Sequence, residues 1–158
     1  MKKIVITGAL GYIGSELCKL YSGFSWKYDI VAIDNRFISE RVNELKRRKI
    51  KFIQADILDI DSIKPYIEKA EVIHHLAGIT DVAYVKKESD KAKDDLIEKV
   101  AIEGTANVLK SMNADATIVF PSTHVVFEGL KEQKENLDEN EKTNTFLTYS
   151  TSKVENEN

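Results

Sequence analysis

The sequence has a single cysteine, Cys18, among 158 residues. No intramolecular disulfide can brace the chain, and no Cys/Cys or Cys/His pair stands at metal-ligand spacing. A reducing compartment, the cytoplasm, fits that usage. Proline is nearly as scarce. Pro65 and Pro121 are the only two, neither marks a linker, and with no internal repeat residues 1–158 read as one domain. Long apolar runs are missing too. Ile4-Val5-Ile6, behind Met1-Lys2-Lys3, is too short for a signal-peptide core, and no later stretch approaches the ~20 apolar residues of a membrane span. Nor is there an excess of charge of one sign. The 23 Lys and Arg against 26 Asp and Glu leave a net −3, which excludes a broadly basic surface for nucleic acid or acidic lipid. The basic cluster Lys46-Arg47-Arg48-Lys49 reads as a solvated helix end. What remains, 42% hydrophobic and 31% charged residues, is the composition of a globular protein with a sizeable core.

Short β-branched runs recur between amphipathic stretches. Lys3 to Thr7, Asp29 to Asp34, Lys51 to Gln54, Glu71 to Leu76 and Ala116 to Pro121 predict strands. Between them, helical spacing runs through Ile13, Leu17 and Leu20; Val42 and Leu45; Ile63, Tyr66 and Ile67; and Leu96, Val100, Val108 and Leu109. This alternation predicts an α/β fold with a parallel sheet covered on both faces. Charge-rich Val85 to Lys99 reads as a solvated helix face, and the polar tract Glu128 to Asn144, without apolar periodicity, as a surface loop.

After the first strand comes Gly8-Ala9-Leu10-Gly11-Tyr12-Ile13-Gly14, with glycines spaced G-x-x-G-x-x-G. Glycine is required where a chain turns tightly and where backbone must approach a pyrophosphate, whose charge then rests on the N–H groups opening the helix. Such glycines also serve tight turns for steric reasons alone. The context favours a dinucleotide: the turn joins a strand to a helix, and Asp34 closes the second strand twenty residues beyond Gly14. A carboxylate there can accept hydrogen bonds from the adenosine ribose and would repel a 2′-phosphate, which points to NAD. Asp34 as a plain strand-ending turn residue is the alternative. Arg36, two residues on, is a group that could accept a 2′-phosphate and keeps NADP in view.

With Asp34-Asn35, Asp56-Ile57 and His74-His75-Leu76-Ala77-Gly78 following in order, the chain resembles the extended short-chain dehydrogenase/reductases, which include NAD-dependent nucleotide-sugar epimerases and dehydratases. The resemblance spans nearly the whole sequence. It implies a Rossmann-type doubly wound parallel sheet with helices on both faces, of which five strands are present. It further implies that Gly8, Gly11, Tyr12, Ile13 and Gly14 hold the phosphates and Asp34 and Asn35 the ribose. Asp56 would bond the adenine amino group, Ile57 would touch the ring, and Leu76, Ala77 and Gly78 would line the cofactor's path. Asp56 as a helix cap near Asp59, and Ala77-Gly78 as an ordinary turn, are the structural alternatives. His74 and His75, adjacent on a strand, point to opposite faces and cannot easily share a metal ion.

Family chemistry implies a catalytic set of Thr123, Tyr149 and Lys153, with Ser122 beside the cofactor and the fallback for Thr123. A phenol is a poor base at neutral pH unless a nearby cation stabilises its phenolate. Lys153, one helical turn on, would supply that charge and bind the nicotinamide ribose. Tyr149 would take the proton from a substrate hydroxyl as hydride leaves for the nicotinamide. With six tyrosines a Y-x-x-x-K spacing can arise by chance. Tyr149 to Lys153 is the only instance, however, and it follows Val119 to Phe127, which resembles the family's fifth-strand segment.

Three departures matter. His124-Val125 replaces the acidic pair of the family's dehydratases, which disfavours dehydration and leaves epimerisation or redox chemistry; Ser122 to Gly129 also resembles nucleotide-sugar ketoreductases. Ala101 stands where the family's N-V-x-G-T segment carries asparagine. The sequence stops five residues beyond Lys153, so a truncated C-terminal part is expected, without a sixth strand or substrate region, with fraying after about Thr145 and no turnover by residues 1–158. The expected activity is that of an NAD-dependent nucleotide-sugar epimerase or oxidoreductase, pairing as a homodimer and needing neither nucleic acid nor membrane. A ketoreductase and a non-catalytic dinucleotide-binding module are the alternatives.

Overall fold

A computed structural model describes residues 1–80, 91–131 and 136–158. The chain divides into two compact units, Met1–Gly78 with Glu103–Pro121 and Ile79–Ile102 with Ser122–Asn158.

The first unit holds one five-stranded sheet built from β1 (Lys2–Thr7), β2 (Tyr28–Asp34), β3 (Lys51–Gln54), β4 (Val72–His75) and β5 (Thr117–Val119). The strand order is β3-β2-β1-β4-β5 and every neighbouring pair is parallel. On the central strand Ile4 lies opposite Ile30 on one side and Val72 on the other. Consecutive residues Ile4 to Thr7 and Ile30 to Asp34 are buried, so both faces of these strands are covered, as a parallel sheet requires. This is a Rossmann-type α/β fold. The chain moves outward from β1 to β3, then restarts on the other side of β1 with β4. That reversal leaves a crevice beyond the carboxyl ends of β1 and β4, where folds of this kind bind ligands.

Helices α1 (Tyr12–Ser22), α2 (Ser39–Arg47) and α3 (Ile60–Ile67) connect the first four strands, and α4 (Lys91–Ser111) precedes β5. Pro65 lies inside α3. The α2 end is the basic cluster: Lys49 adopts a left-handed φ of 59°, and Ile50 N–H reaches back to the Leu45 carbonyl at 2.9 Å, a helix-terminating turn. Among the described residues no helix is long and apolar enough to cross a membrane.

Two sequence expectations about buried faces are corrected. On α1 the residues turned inward are Gly14 and Cys18, whereas Ile13 and Leu20 are exposed. The missing side chain at Gly14 lets the helix sit close on the β1 turn, which rotates Ile13 outward. On α4 the spacing through Leu96, Val100, Val108 and Leu109 holds on the buried side only at Val108. Leu96 and Leu109 are exposed, and Ile97, Thr105 and Val108 are buried. Gly104 brings α4 against Ile57: a Cβ there would lie 2.8 Å from Ile57 Cγ1. The Asn107 amide donates to the Ile57 carbonyl at 2.9 Å. Of the charge-rich stretch, Lys91 onward is helical, and Val85 to Asp90 lies outside the described residues. The fifth strand is shorter than expected, ending at Val119.

The second unit contains a short 3-10 turn, His124–Phe127, and α5 (Thr148–Glu157), which packs against it. Helix α5 runs from Thr148 to Glu157, and side chains described below hold both of its ends.

Candidate functional site

The glycine turn is shaped by two steric demands. Gly8 has φ +67°, and a Cβ there would lie 2.7 Å from the Leu76 carbonyl carbon and the Ala77 nitrogen. The backbone of Leu76-Ala77 therefore presses directly on the turn, held by Leu76 N–H to the Thr7 carbonyl at 3.2 Å and Ala77 N–H to Thr7 Oγ1 at 3.2 Å. Gly14 faces back on the same turn, where a Cβ would sit 2.8 Å from Ala9 Cα. Gly11 N–H donates to the Gly8 carbonyl at 2.9 Å, closing the loop. Gly11 is also the N-cap of α1, and no side chain caps it. An uncapped helix start with glycine-lined backbone offers N–H groups and the positive end of the helix dipole to an anion. Tyr12 and Ile13, in the first turn, are exposed. Among the described residues nothing lies within 4 Å of the place a Cβ would take at Gly78.

At the ends of β2 and β3 the structure gathers Asp34, Asn35 and Asp56. Asp34 is only 4% exposed and accepts Leu10 N–H at 2.9 Å, which ties the end of β2 to the glycine turn. Arg36 pairs with it, Nε to Oδ1 at 3.0 Å; that bond to Asp34 raises the arginine's pKa. The Asn35 amide donates to Asp56 Oδ2 at 3.1 Å, and Asp56 Oδ1 accepts Leu58 N–H at 2.9 Å. Asp56 thus serves as a local cap for the turn before α3. Ile57 is 5% exposed, with its side chain turned toward α4.

The two histidines of β4 are satisfied separately. His74 Nε2 shares a 2.8 Å hydrogen bond with the Tyr21 hydroxyl, and burial holds its pKa below the ordinary imidazole range. His75 is buried between Thr7 Oγ1 at 2.8 Å and Thr105 Oγ1 at 3.0 Å.

In the second unit, Thr123 starts the 3-10 turn by accepting Val125 N–H at 3.3 Å. On α5, Lys153 lies over the Tyr149 ring with its Nζ 5.8 Å from the centroid. Burial pulls the Lys153 pKa down and the Glu157 carboxylate pulls it back up. Ser122 is exposed, and its hydroxyl donates to Glu157. The packing of α5 on the 3-10 turn thus brings the Thr123 segment to the helix that bears Tyr149 and Lys153.

Sequence reasoning missed Glu128, which it placed at the start of a surface loop. Its carboxylate accepts Phe146 N–H at 3.0 Å and Leu147 N–H at 2.8 Å, and takes a hydrogen bond from the Ser150 hydroxyl. Leu147, the N-cap of α5, has no capping side chain of its own; Glu128 instead pins the backbone that enters the helix, through the N–H groups of Phe146 and Leu147. The absence of Ser, Thr, Asp or Asn at the cap was the available signal. At the other end the Asn156 amide donates to the Ala101 carbonyl at 3.1 Å, attaching α5 to the point where the family's asparagine is replaced. Glu128→Ala is expected to lower stability by about 1–2 kcal/mol and to speed amide exchange at Phe146 and Leu147; unchanged exchange would show that this contact contributes nothing.

The sequence pattern of the 3-beta hydroxysteroid dehydrogenase/isomerase family matches residues 5–158. The chain belongs to that family. It is an extended short-chain dehydrogenase/reductase by sequence and by fold. Mouse UDP-glucose 4-epimerase is 31% identical over 145 residues, covering 80% of this chain and 39% of that protein. Among solved structures, the UDP-Glc/GlcNAc 4-epimerase of Campylobacter jejuni superposes with a TM-score of 0.81 at 21% identity, covering 99% of this chain and 47% of that one. A monomeric L-threonine 3-dehydrogenase of metagenomic origin is 30% identical with a TM-score of 0.77, covering 98% and 46%. The chain spans about a third of the length of the first curated relatives it matches and just under half of its structural neighbours.

Proposed function

We propose that this chain is the cofactor-binding part of a cytoplasmic, homodimeric NAD-dependent enzyme that epimerises or oxidises a nucleotide-activated sugar. The observation that carries the reading is the turn itself: left-handed Gly8, a Gly14 with backbone where a Cβ would go, and an uncapped α1 start. Those features fit a pyrophosphate, in addition to the close backbone packing they allow. NAD supplies the hydride acceptor and donor for the reaction.

The chain's own residues take the remaining roles. Gly8 to Gly14 receive the phosphates, Asp34 and Asn35 the adenosine ribose, Asp56 the adenine amino group, and Leu76 to Gly78 line the path toward the nicotinamide. Thr123 orients a substrate hydroxyl, Tyr149 takes and returns its proton, and the Lys153 ammonium stabilises the phenolate. Relatives named as UDP-glucose 4-epimerases support the sugar class. A hydroxysteroid as substrate is the second reading, supported by the family's own description.

The test is to incubate the product of the complete gene with NAD and UDP-glucose and follow the sugar by NMR. Appearance of an epimer without net NADH is the expected result, and net NADH from the nucleotide sugar would shift the reading to a dehydrogenase. Turnover of a 3β-hydroxysteroid with none of any nucleotide sugar would overturn it, and saturable NAD binding with no turnover at all would leave a binding module.

A further inference from the structure

Three segments meet at the amino end of the sheet, the end away from the glycine turn. The chain start is joined to the α1–β2 loop by Lys2 N–H, which donates to the Lys27 carbonyl at 3.0 Å. The basic end of α2 is joined to the end of α1 by Arg48 Nη1, which donates to Ser22 Oγ at 3.2 Å. Between these attachments the loop folds on itself, with Phe24 N–H on the Tyr21 carbonyl at 2.9 Å and Lys27 N–H on the Phe24 carbonyl at 2.8 Å. Every residue from Gly23 to Lys27 is nonetheless exposed. Trp26 is 75% exposed, Leu20 63% and Phe24 45%, and Met1, beside the loop, is 83% exposed. Exposed apolar residues scattered singly are ordinary, whereas large ones gathered around one loop mark an interaction surface.

The free charge around this tip has one sign. Glu44 is held by Arg47 and Arg48, Glu16 by Lys19, and Glu71 accepts the Lys3 N–H. Asp29 stands in register beside Lys3. Lys2, Lys27, Lys46 and Lys49 are exposed and, among the described residues, belong to no ion pair. Folding thus gathers at one end a positive charge that the net −3 of the whole chain conceals. That net charge excludes a basic surface over the whole molecule, but not a basic end.

Aromatic and aliphatic side chains at a loop tip, with lysines beside them, complement an anionic lipid surface. The indole and its apolar neighbours enter the headgroup region, and the long lysine stems bring ammonium groups to the lipid phosphates. Stacking on the bases of a nucleic acid would use the two rings but leave Leu20 and Met1 without a role. We infer that the Phe24–Trp26 loop and the lysines around it dock the protein on an anionic lipid surface. Strand β1 is six residues long, so the glycine turn stands about 20 Å from that surface, and the crevice beyond β1 and β4 opens away from it. Docking at this end does not depend on the dinucleotide reading.

Trp26 is the only tryptophan in the chain, so its emission reports on this loop alone. The 158-residue protein is mixed with phosphatidylcholine vesicles, with or without about one third phosphatidylserine, and followed by fluorescence and co-sedimentation. Blue-shifted emission and co-sedimentation with the anionic vesicles only are expected, both weakened at about 1 M salt. Lys2→Gln and Lys27→Gln are each expected to weaken vesicle binding about fivefold, and Trp26→Ala about tenfold. All three side chains are exposed, so the melting temperature should stay at the wild-type value. Absence of co-sedimentation with either vesicle, or co-sedimentation that leaves Trp26 emission unshifted, overturns the inference. An emission change produced by a single-stranded oligonucleotide and not by vesicles would overturn it in favour of nucleic acid. A blue shift that grows with protein concentration without vesicles, and does not respond to them, would assign the loop to a second copy of this chain instead.

Discussion

Gly14→Ala is expected to destabilise the protein by about 1–3 kcal/mol and to weaken NAD binding at least about tenfold. The cause is local and rigid. The new methyl would lie 2.8 Å from Ala9 Cα and 3.0 Å from the Gly8 carbonyl carbon, and it meets the Gly8 carbonyl oxygen as well. These are backbone atoms of a turn already constrained by the left-handed Gly8 and by the Leu76-Ala77 backbone pressing on it. They cannot rotate away as a side-chain tip can, so α1 must move off the turn. That movement spoils the N–H array proposed to receive the pyrophosphate. Gly23→Ala is the control, since it lies outside the proposed cofactor site and a Cβ there meets only the Leu20 carbonyl oxygen, at 3.4 Å, and its stability should stay within about 0.5 kcal/mol of wild type. Thermal unfolding and NAD titration of both variants check the pair. Equal effects at the two glycines would show that Gly14 is not where the close approach matters.

Tyr149→Phe in the complete gene product is expected to reduce turnover by about 10²- to 10⁴-fold while leaving NAD affinity unchanged. The substitution removes one oxygen and keeps the ring under Lys153 Nζ, which lies 5.8 Å from its centroid. Helix packing should survive, because α5 is held by Glu128 at its start and by Asn156 on the Ala101 carbonyl near its end. Loss of activity at unchanged melting temperature therefore isolates the phenol as the proton carrier. Turnover close to wild type would remove Tyr149 from the mechanism and leave Thr123 and Lys153 without a partner for it. Loss of activity together with loss of NAD binding would instead place the tyrosine on the cofactor.

Much of the first unit was legible because its signals are local. Each expected strand is present within a few residues, since short β-branched runs bounded by polar or glycine-bearing turns leave little choice of conformation. Asp34 stands at the end of β2, as the run from Asp29 implied. Helix faces were read less well. Hydrophobic spacing named Ile13 and Leu20 on α1 and Leu96 and Leu109 on α4, all of them exposed. In both helices a glycine is the inward residue, Gly14 against the β1 turn and Gly104 against Ile57. A glycine carries no weight in a hydrophobic pattern, yet it decides which face can approach most closely.

The amino-acid sequence by itself determined the order of strands and helices, the position of the glycine turn, and the set of residues that mark the family, because each depends on neighbours a few positions apart. Only the tertiary structure decided what Asp34 and Glu128 do. The carboxylate of Asp34 is filled by Leu10, 24 residues back, and by the fork of Arg36. That of Glu128 pins the entry to a helix beginning 20 residues ahead of it. A carboxylate's role is set by the donors that surround it. The Leu10 donor and the donors on Glu128 come from segments brought together by folding, which leaves no periodic trace in the chain, whereas Arg36 is only two residues from Asp34.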